Sequence, residues 1–194
     1  KDFWFDSVLD AISGCHNGGW IWQALKRLGL EKEIEFTRLE PIRTDIFPDF
    51  RFDVKADIDL FISDLQGLSP KDAKAISELF SIMKELHHVV MTLPADIIWK
   101  DPRIEAKYPL FYKYKHKTFK GLLDEYIQDE RIRAILCDRC AFMGLPPSKV
   151  SAIGMSTMII TYGMNGGYRV KGLTQRFPDA LAGVIKNNNG EIIY

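Results

Sequence analysis

Residues 69–94 constrain the fold more than any other part of the sequence, because they carry a complete set of helix signals. Ser69 can act as an N-cap, Pro70 follows at the first helical position and Asp72 lies in the first turn. Pro94 ends the pattern, since proline cannot continue a helix. Apolar residues recur at helical spacing between these ends: Ala73, Ile76, Leu79, Phe80, Met83, Leu86 and Val90. The stripe predicts a long helix packed against a core.

The remaining patterns predict a mostly helical α+β fold with a small mixed or antiparallel sheet. Three short strands, separated by turns at Pro41 and Pro48, are expected in a meander or hairpin: residues 34–38, 42–47 and 50–54. Residues 163–172 are rich in glycine and are expected to form a connection. The turn at residues 187–190 is expected to lead into a last strand at 191–194.

The chain of 194 residues suits a single domain. Within 1–194, residues 1–55 and 165–194 are expected to form the sheet, and residues 56–164 the helices. Both ends have strand-like sequence rather than a polar lead-in, at residues 3–13 and again at the last four residues. We therefore expect the chain to be a fragment of a longer protein.

Charge and cysteine content limit the function classes. The chain has 26 Lys and Arg against 26 Asp and Glu, so net charge gives no argument for binding to nucleic acid or to an anionic membrane, and any such argument must come from local clustering. Three cysteines, an odd and low count, favour a reducing compartment, and we expect a cytoplasmic protein. No run reaches the roughly 18 apolar residues of a membrane span, so the expected protein is soluble or attached to a membrane surface.

Cys137 and Cys140 form a C-x-x-C pattern, which can be a redox pair or half of a zinc site. A structural zinc site needs four ligands, and the sequence has no second pair. A redox motif normally opens a helix after a strand, whereas this pattern falls inside a predicted helix. We expect buried or half-buried free thiols and no metal site.

Residues 99–120 alternate aromatic and basic side chains, a mixture that three environments can explain. The rings can pack inward while the lysines stay solvated, or the segment can lie on a membrane surface. Nucleic-acid binding is the weakest interpretation because the net charge is zero. We expect no nucleic-acid partner. The residues chosen as candidates for membrane contact are Lys113, Tyr114, Lys115 and Lys117.

Two groups of residues are candidates for substrate binding. His87 lies near the middle of the apolar stripe of the long helix and His88 at its edge, where a histidine is usually a hydrogen-bonded core or pocket residue. Met155 and Met158 are flexible thioethers that can line an apolar tunnel or fill a core. The candidates are therefore His87, Met155 and Met158, and no residue is identified as catalytic.

Several segments together resemble one family. FMGLPPS at 142–148 resembles its (Y/F)-L-G-x-P-P-S, and GYRVKGLTQ at 167–175 resembles its G-x-Y-x-P-x-G-G-(S/T)-Q. Weaker matches occur in the correct order, at residues 5–6, 12–14, 25–30, 47–49, 179–182 and 189–192. These motifs are similar to those of the phytoene desaturases, carotene isomerases and retinol saturases, which are FAD-dependent, amine oxidase-like flavoproteins.

The resemblance implies the fold and role of the substrate-binding domain of such flavoproteins, acting on a long apolar polyene such as a carotenoid or retinoid. In that family FAD lies on a Rossmann-like part with a G-x-G-x-x-G turn, which this sequence lacks. The fragment is thus expected to be inactive alone and not to hold FAD, which belongs to the missing FAD-binding domain. Tyr168, Lys171 and Gly172 match the motif and are the cofactor-binding candidates.

Four residues depart from the family pattern. Val8 and Leu9 stand where the family has Gly and Pro, and Val170 and Leu173 replace the Pro and second Gly of its P-x-G-G segment. Glycine there allows backbone to approach a flavin closely. The alternative interpretation is therefore a stand-alone module that binds a lipid or a partner and has lost its flavin contact.

Overall fold

The computed structural model describes residues 6, 11–94 and 102–193. These residues form a mostly helical α+β fold with two small two-stranded sheets, which confirms the predicted fold class. The α-helices are α1 (Trp20–Arg27), α2 (Ile58–Leu68), α3 (Ala73–Thr92), α4 (Pro102–Lys107), α5 (Pro109–Tyr114), α6 (Phe119–Tyr126), α7 (Glu130–Cys137), α8 (Ala152–Asn165) and α9 (Arg176–Asn187). The strands are β1 (Phe36–Arg38), β2 (Arg43–Ile46), β3 (Arg51–Val54) and β4 (Tyr168–Val170).

The three predicted strands correspond to β1, β2 and β3, but their pairing is not a meander. β2 and β3 form a two-stranded sheet closed by the turn at Pro48, where the Phe47 amide donates to the carbonyl of Phe50 at 2.9 Å. β1 instead pairs antiparallel with β4, with Phe36 opposite Val170. The sequence prediction missed β4, because this strand has only three residues and lies within the glycine-rich segment that was expected to be a connection.

The predicted last strand is wrong for residues 191–193, which form neither strand nor helix. The expected strands of residues 3–13 fall largely outside the described residues. Ile12 forms a single antiparallel bridge with Tyr168 at the far side of β4 from β1. Two hydrogen bonds between Ile12 and Tyr168, of 2.9 and 2.8 Å, make this bridge.

The chain divides into two compact units: unit 1 comprises residues 1–43 and 165–194, and unit 2 comprises residues 44–164. Among the described residues, unit 1 contains the β1–β4 pair with α1 and α9. Its small core consists of Leu25, Leu30, Ile34 and Val170, against which α9 packs a face that is only half-buried.

Unit 2 is organised around α3, whose buried face confirms the predicted stripe with one correction. Five side chains on this face expose at most 1% of their surface to solvent: Ile76, Leu79, Phe80, Met83 and Leu86. The next buried position is Val89 and not Val90, which is 36% exposed. Val89 follows Leu86 by three residues and so stays on the same face, whereas one further residue rotates the side chain by about 100° toward solvent.

The predicted N-cap at Ser69 is wrong, because neither the Ser69 nor the Asp72 side chain accepts a hydrogen bond from an amide at the start of the helix. Residues Pro70–Asp72 form a short 3-10 turn before α3, and the Ser69 hydroxyl donates to Asp72 Oδ2 at 3.0 Å. Asp57 caps α2 by accepting hydrogen bonds from the amides of Asp59 and Leu60. The helices α2 and α3 pack against each other, and a side-chain oxygen caps the start of α2 but not that of α3.

A polar clamp joins the start of α7 to the turn between α2 and α3. Asp129 Oδ1 accepts from the Arg131 amide at 2.9 Å, and Oδ2 accepts from Arg131 Nη2 at 2.7 Å. The Asp129 amide donates to Asp72 Oδ2, and Arg131 Nη2 also donates to the carbonyl of Leu68 at 3.0 Å. Hydrogen bonds from the Arg131 side chain, opposed in part by burial, hold the pKa of Asp129 well below its ordinary value.

This clamp predicts a pH-dependent loss of stability in Asp129→Asn. The variant keeps an N-cap oxygen but loses the charged partner of Arg131, so its free energy of unfolding should fall by about 1–2 kcal/mol at neutral pH. The folded-state pKa lies below that of an unfolded aspartate. The wild-type advantage is therefore complete above about pH 4 and declines as the pH falls toward the folded-state pKa.

Urea unfolding of both proteins across this pH range measures the difference. Glu130→Gln is the matched control, because Glu130 is the neighbouring carboxylate and its side chain is 86% exposed. An equal loss in both variants, or a loss for Asp129→Asn that does not depend on pH, contradicts the clamp.

Candidate functional site

A cleft of about 400 Å³ opens in unit 2 beside the C-terminal half of α3. Its volume lies within the range of small-molecule sites. The lining residues come from α2, α3 and α8: Ile58, Asp59, Lys84, His87, His88, Met91 and Met164. The cleft thus combines apolar side chains, one ion pair and two imidazoles.

The positions of these side chains follow from helix geometry. Lys84, His87 and Met91 are spaced at i, i+3 and i+7 on α3, so they form a second stripe beside the buried one. Asp59 lies in the first turn of α2 and Lys84 Nζ donates to its Oδ1 at 3.1 Å, which bridges the two helices. Met164 is the penultimate residue of α8.

Close packing of α8 against α2 fixes one wall of the cleft. Gly163 is buried, and a Cβ placed on it would lie 2.6 Å from Cδ1 and 3.0 Å from Cβ of Ile58. Both distances are below ordinary van der Waals contact. The absence of a side chain at Gly163 therefore allows Ile58 to take its place in the lining.

His87 is the polar group of the cleft whose state is most perturbed. Burial, with a smaller contribution from the charge of His88, lowers its pKa below the ordinary value, so the imidazole is neutral at neutral pH. Its Nε2 is shielded from solvent and has no hydrogen-bond partner among the described residues. An unpaired buried nitrogen is unfavourable, and a bound polar group that reached it after a small side-chain shift would relieve that cost.

The structure brings only one of the three predicted substrate-binding residues to the cleft. His87 lines it, whereas Met155 is fully buried in the core of unit 2 and Met158 packs against that core. Met155 and Met158 therefore fill space between helices and do not line the cleft, which corrects their prediction as substrate-binding residues. Met91 and Met164, 52% and 59% exposed, are the methionines that line the cleft. Met91 could have been found from the sequence, because it lies four residues after His87 and therefore on the same face of α3.

The candidate membrane residues have mixed positions. Tyr114 is completely buried, which corrects its prediction as a surface residue. Its hydroxyl donates to Glu125 Oε2 at 2.8 Å, and burial, together with hydrogen bonds to Tyr126 and Glu125, raises its pKa. Tyr114 therefore belongs to the core of unit 2 and cannot touch a membrane directly.

The three lysines around Tyr114 stay at the surface. Lys113 and Lys117 both form ion pairs with Glu125, and their ammonium groups lie 4.8 and 5.1 Å from the Tyr114 ring centroid. Lys115 lies over the ring of Tyr112 at 3.8 Å. The segment thus has inward rings with cations outside, and these cations remain available to solvent.

Burial disfavours the thiolate form of all three cysteines. Burial raises the pKa of Cys15 and of Cys137 to about 12 and also raises that of Cys140. Cys137 ends α7, and Cys140 is buried in the 3-10 turn Asp138–Met143. The part of the chain that the structure describes contains no group of three or more His, Cys, Asp or Glu placed to hold a metal ion.

The cofactor candidates lie together in unit 1, on β4 and the turn that follows it. Lys171 Nζ donates to Glu35 Oε2 at 2.6 Å, and its hydrogen bond and charge lower the pKa of that carboxyl. Gly172 has φ +81°, and a Cβ there would meet the Arg176 side chain at 3.2 Å. Tyr168 is half-buried and holds Ile12 by backbone hydrogen bonds.

These residues alone do not fit a flavin. The ammonium group of Lys171 already has a carboxylate partner, and the space beside Gly172 is taken by Arg176. A flavin contact at this turn would therefore need residues other than these three.

Comparison with known proteins adds no relative. No family model matches the chain, and no curated protein matches it at a significant level. Among the described helices, none combines the length and the apolar character needed to cross a bilayer.

The wall at Gly163 predicts opposite effects for two glycine-to-alanine changes. In Gly163→Ala, the new methyl group must displace Ile58, so overpacking outweighs the higher helix propensity of alanine and stability should fall by about 1 kcal/mol. In Gly67→Ala of α2, the added Cβ has no neighbour within 4 Å, and stability should rise by up to about 1 kcal/mol.

Denaturant unfolding of the two variants checks this pair. Because both substitutions gain the same propensity, their difference isolates the contact with Ile58. Stabilisation by Gly163→Ala would show that α8 and α2 are not in close contact at this point.

Proposed function

We propose that this chain is the substrate-binding domain of a longer FAD-dependent oxidoreductase, a desaturase, saturase or isomerase that acts on a long apolar polyene. The proposal starts from the ordered motifs of the phytoene desaturase-like family, above all residues 142–148 and 167–175. The role left to this chain is to bind and orient the substrate, while FAD belongs to the remaining part of the protein and carries the redox chemistry.

The observation that carries the proposal is the backbone at Gly172 and Leu173. The family motif has two successive glycines at these positions, and here both residues have positive φ, +81° and +89°. A leucine rarely takes such a value, because its Cβ crowds the backbone, at a cost of about 1–2 kcal/mol. The turn therefore keeps the conformation that paired glycines allow, although the second glycine has been replaced.

The cleft of unit 2 supports the substrate class. Met91 and Met164 are exposed thioethers, which adapt to an apolar ligand, and Ile58 lines the wall between them. The neutral imidazole of His87 adds a polar group without charge, and the charges of Lys84 and Asp59 in the lining pair with each other at 3.1 Å. The apolar side chains and these matched charges suit a largely apolar ligand with a polar group more than a purely ionic one.

A stand-alone module that binds a lipid or a partner is the second candidate. It is favoured by the ion pair between Lys171 and Glu35 and by the Arg176 side chain beside Gly172, which leave the turn without space for a flavin. The two candidates share the cleft and differ in whether a flavin is present.

The first test is the reading frame that contains this segment. We expect a G-x-G-x-x-G turn within about a hundred residues upstream of Lys1, and a purified full-length product with a flavin absorption spectrum that is bleached on reduction. The 194-residue chain alone should be colourless. A full-length product without a G-x-G-x-x-G turn and without flavin contradicts the oxidoreductase and leaves the module.

The second test measures polyene binding by the cleft. We expect the purified chain to enhance the fluorescence of cis-parinaric acid, a polyene fatty acid, and Met164→Glu to weaken binding by about tenfold, because it places a charge in the apolar lining that also repels the carboxylate of the probe. Leu60→Glu is the matched control, since Leu60 is 57% exposed, close to the 59% of Met164, but lies outside the lining. Equal loss in both variants, or no binding at all, would place the ligand elsewhere.

A further inference from the structure

Residues 141–146 form a run of six consecutive exposed positions, five of which are apolar. Three large side chains dominate this apolar tip: Phe142 is 55% exposed, Met143 43% and Leu145 45%. Isolated exposed apolar residues are common on proteins, but a continuous run of them indicates a contact surface.

The apolar tip is held in place by its own contacts. Phe142 lies over the guanidinium of the buried Arg139, with 4.2 Å from Cζ to the ring centroid. Gly144 ends the 3-10 turn in the left-handed conformation, with φ +70°. The exposed side chains are therefore presented on an ordered turn, and part of the entropy cost of binding is already met by folding.

Backbone hydrogen bonds attach the base of the tip to the basic segment around α6. The amide of Lys120 donates to the carbonyl of Pro147 at 2.9 Å, and the amide of Ala152 donates to the carbonyl of Lys117 at 3.0 Å. Thr118 and Ser151 also form an antiparallel bridge. The apolar tip and the lysines of residues 113–120 thus belong to one surface of unit 2.

This surface has a positive excess, although the whole chain is neutral. Lys113 and Lys117 share the single carboxylate of Glu125, which leaves one positive charge in that group. Lys120 and Arg133 share Asp124, and Arg133 also pairs with Glu130, so this second group is neutral and the excess comes from the first. Lys149, two residues after Pro147, is exposed and forms no ion pair with any residue that the structure describes.

We propose that the apolar tip enters the interface of an anionic lipid bilayer, with Lys149 and the lysines around α6 on the headgroups. A short tip of one aromatic and two aliphatic side chains is too small for the roughly 800 Å² per partner of a stable protein interface. It suits the shallow apolar layer below lipid phosphates, where insertion of side chains and attraction of lysines add together. The tip replaces the buried Tyr114 as the apolar part of the membrane contact.

The proposal goes beyond substrate binding and does not depend on a flavin. It adds to the proposed function a route by which an apolar substrate reaches the protein, because such substrates dissolve in membranes. Loss of polyene binding would leave the membrane contact intact, and the reverse also holds, so the two proposals fail separately.

The experiment is co-sedimentation of the purified chain with vesicles of phosphatidylcholine alone and of phosphatidylcholine with phosphatidylserine. We expect binding to the anionic vesicles that weakens with added salt. Phe142→Ser with Leu145→Ser should lower the partition coefficient at least tenfold, and Lys149→Gln about fivefold. Ile46→Ser with Leu60→Ser is the control, because both residues are exposed apolar side chains elsewhere on unit 2, and it should leave binding unchanged.

A second measurement locates the inserted part. A cysteine at position 145, from Leu145→Cys, can be labelled selectively with an environment-sensitive fluorophore, since burial raises the pKa of the native thiols. Its emission should shift to the blue on anionic vesicles, while a label at Leu60→Cys should not respond. The proposal is overturned if neither vesicle type is bound, if both labels respond alike, or if the tip variants change only the association state of the protein.

Discussion

Burial of one face of α3 is the interaction on which unit 2 depends. Its side chains from Ile76 to Val89 are almost completely removed from water, and α2, α5 and α6 each pack against this helix. At about 1.5–3 kcal/mol for each large apolar side chain, this face supplies a major part of the driving force for folding. The cleft follows from the same geometry, because the stripe of Lys84, His87 and Met91 lies beside the buried face, where neighbouring helices cover it only in part.

Local patterns were sufficient to predict the long helix and the first three strands, but not β4 or the pairing of the strands. The apolar period of α3 is encoded within some twenty residues, and the strands β1 to β3 are bounded by prolines that the sequence shows directly. The pairing of Phe36 with Val170 joins residues far apart in the chain. Nothing in a strand of three residues specifies its partner, and the register depends on the surrounding core.

The candidate sites were predicted unevenly for a related reason. His87 could be found because its position on the helix follows from counting residues, but periodicity cannot distinguish a methionine that lines a cleft from one that fills a core. Met155 and Met164 lie on the same helix, and only tertiary packing makes one fully buried and the other 59% exposed. Tyr114 shows the same limit, because its buried hydroxyl is acceptable only with Glu125 beside it.

The turn after β4 shows how tertiary contacts can hold a leucine in a backbone conformation that favours glycine. Leu173 at φ +89° is held by neighbours: the Thr174 amide donates to Asp6 Oδ1 at 2.8 Å, and Arg176 Nη1 donates to the carbonyl of Lys171 at 3.1 Å. Together with the hydrogen bond from the Lys171 amide to Glu35, these contacts determine the direction of the chain on both sides of the strained residue. A glycine here would set the same path without strain, whereas a leucine needs the whole network. The paired positive φ angles of Gly172 and Leu173 are therefore maintained by contacts on both sides of the turn, and not by the intrinsic preference of leucine.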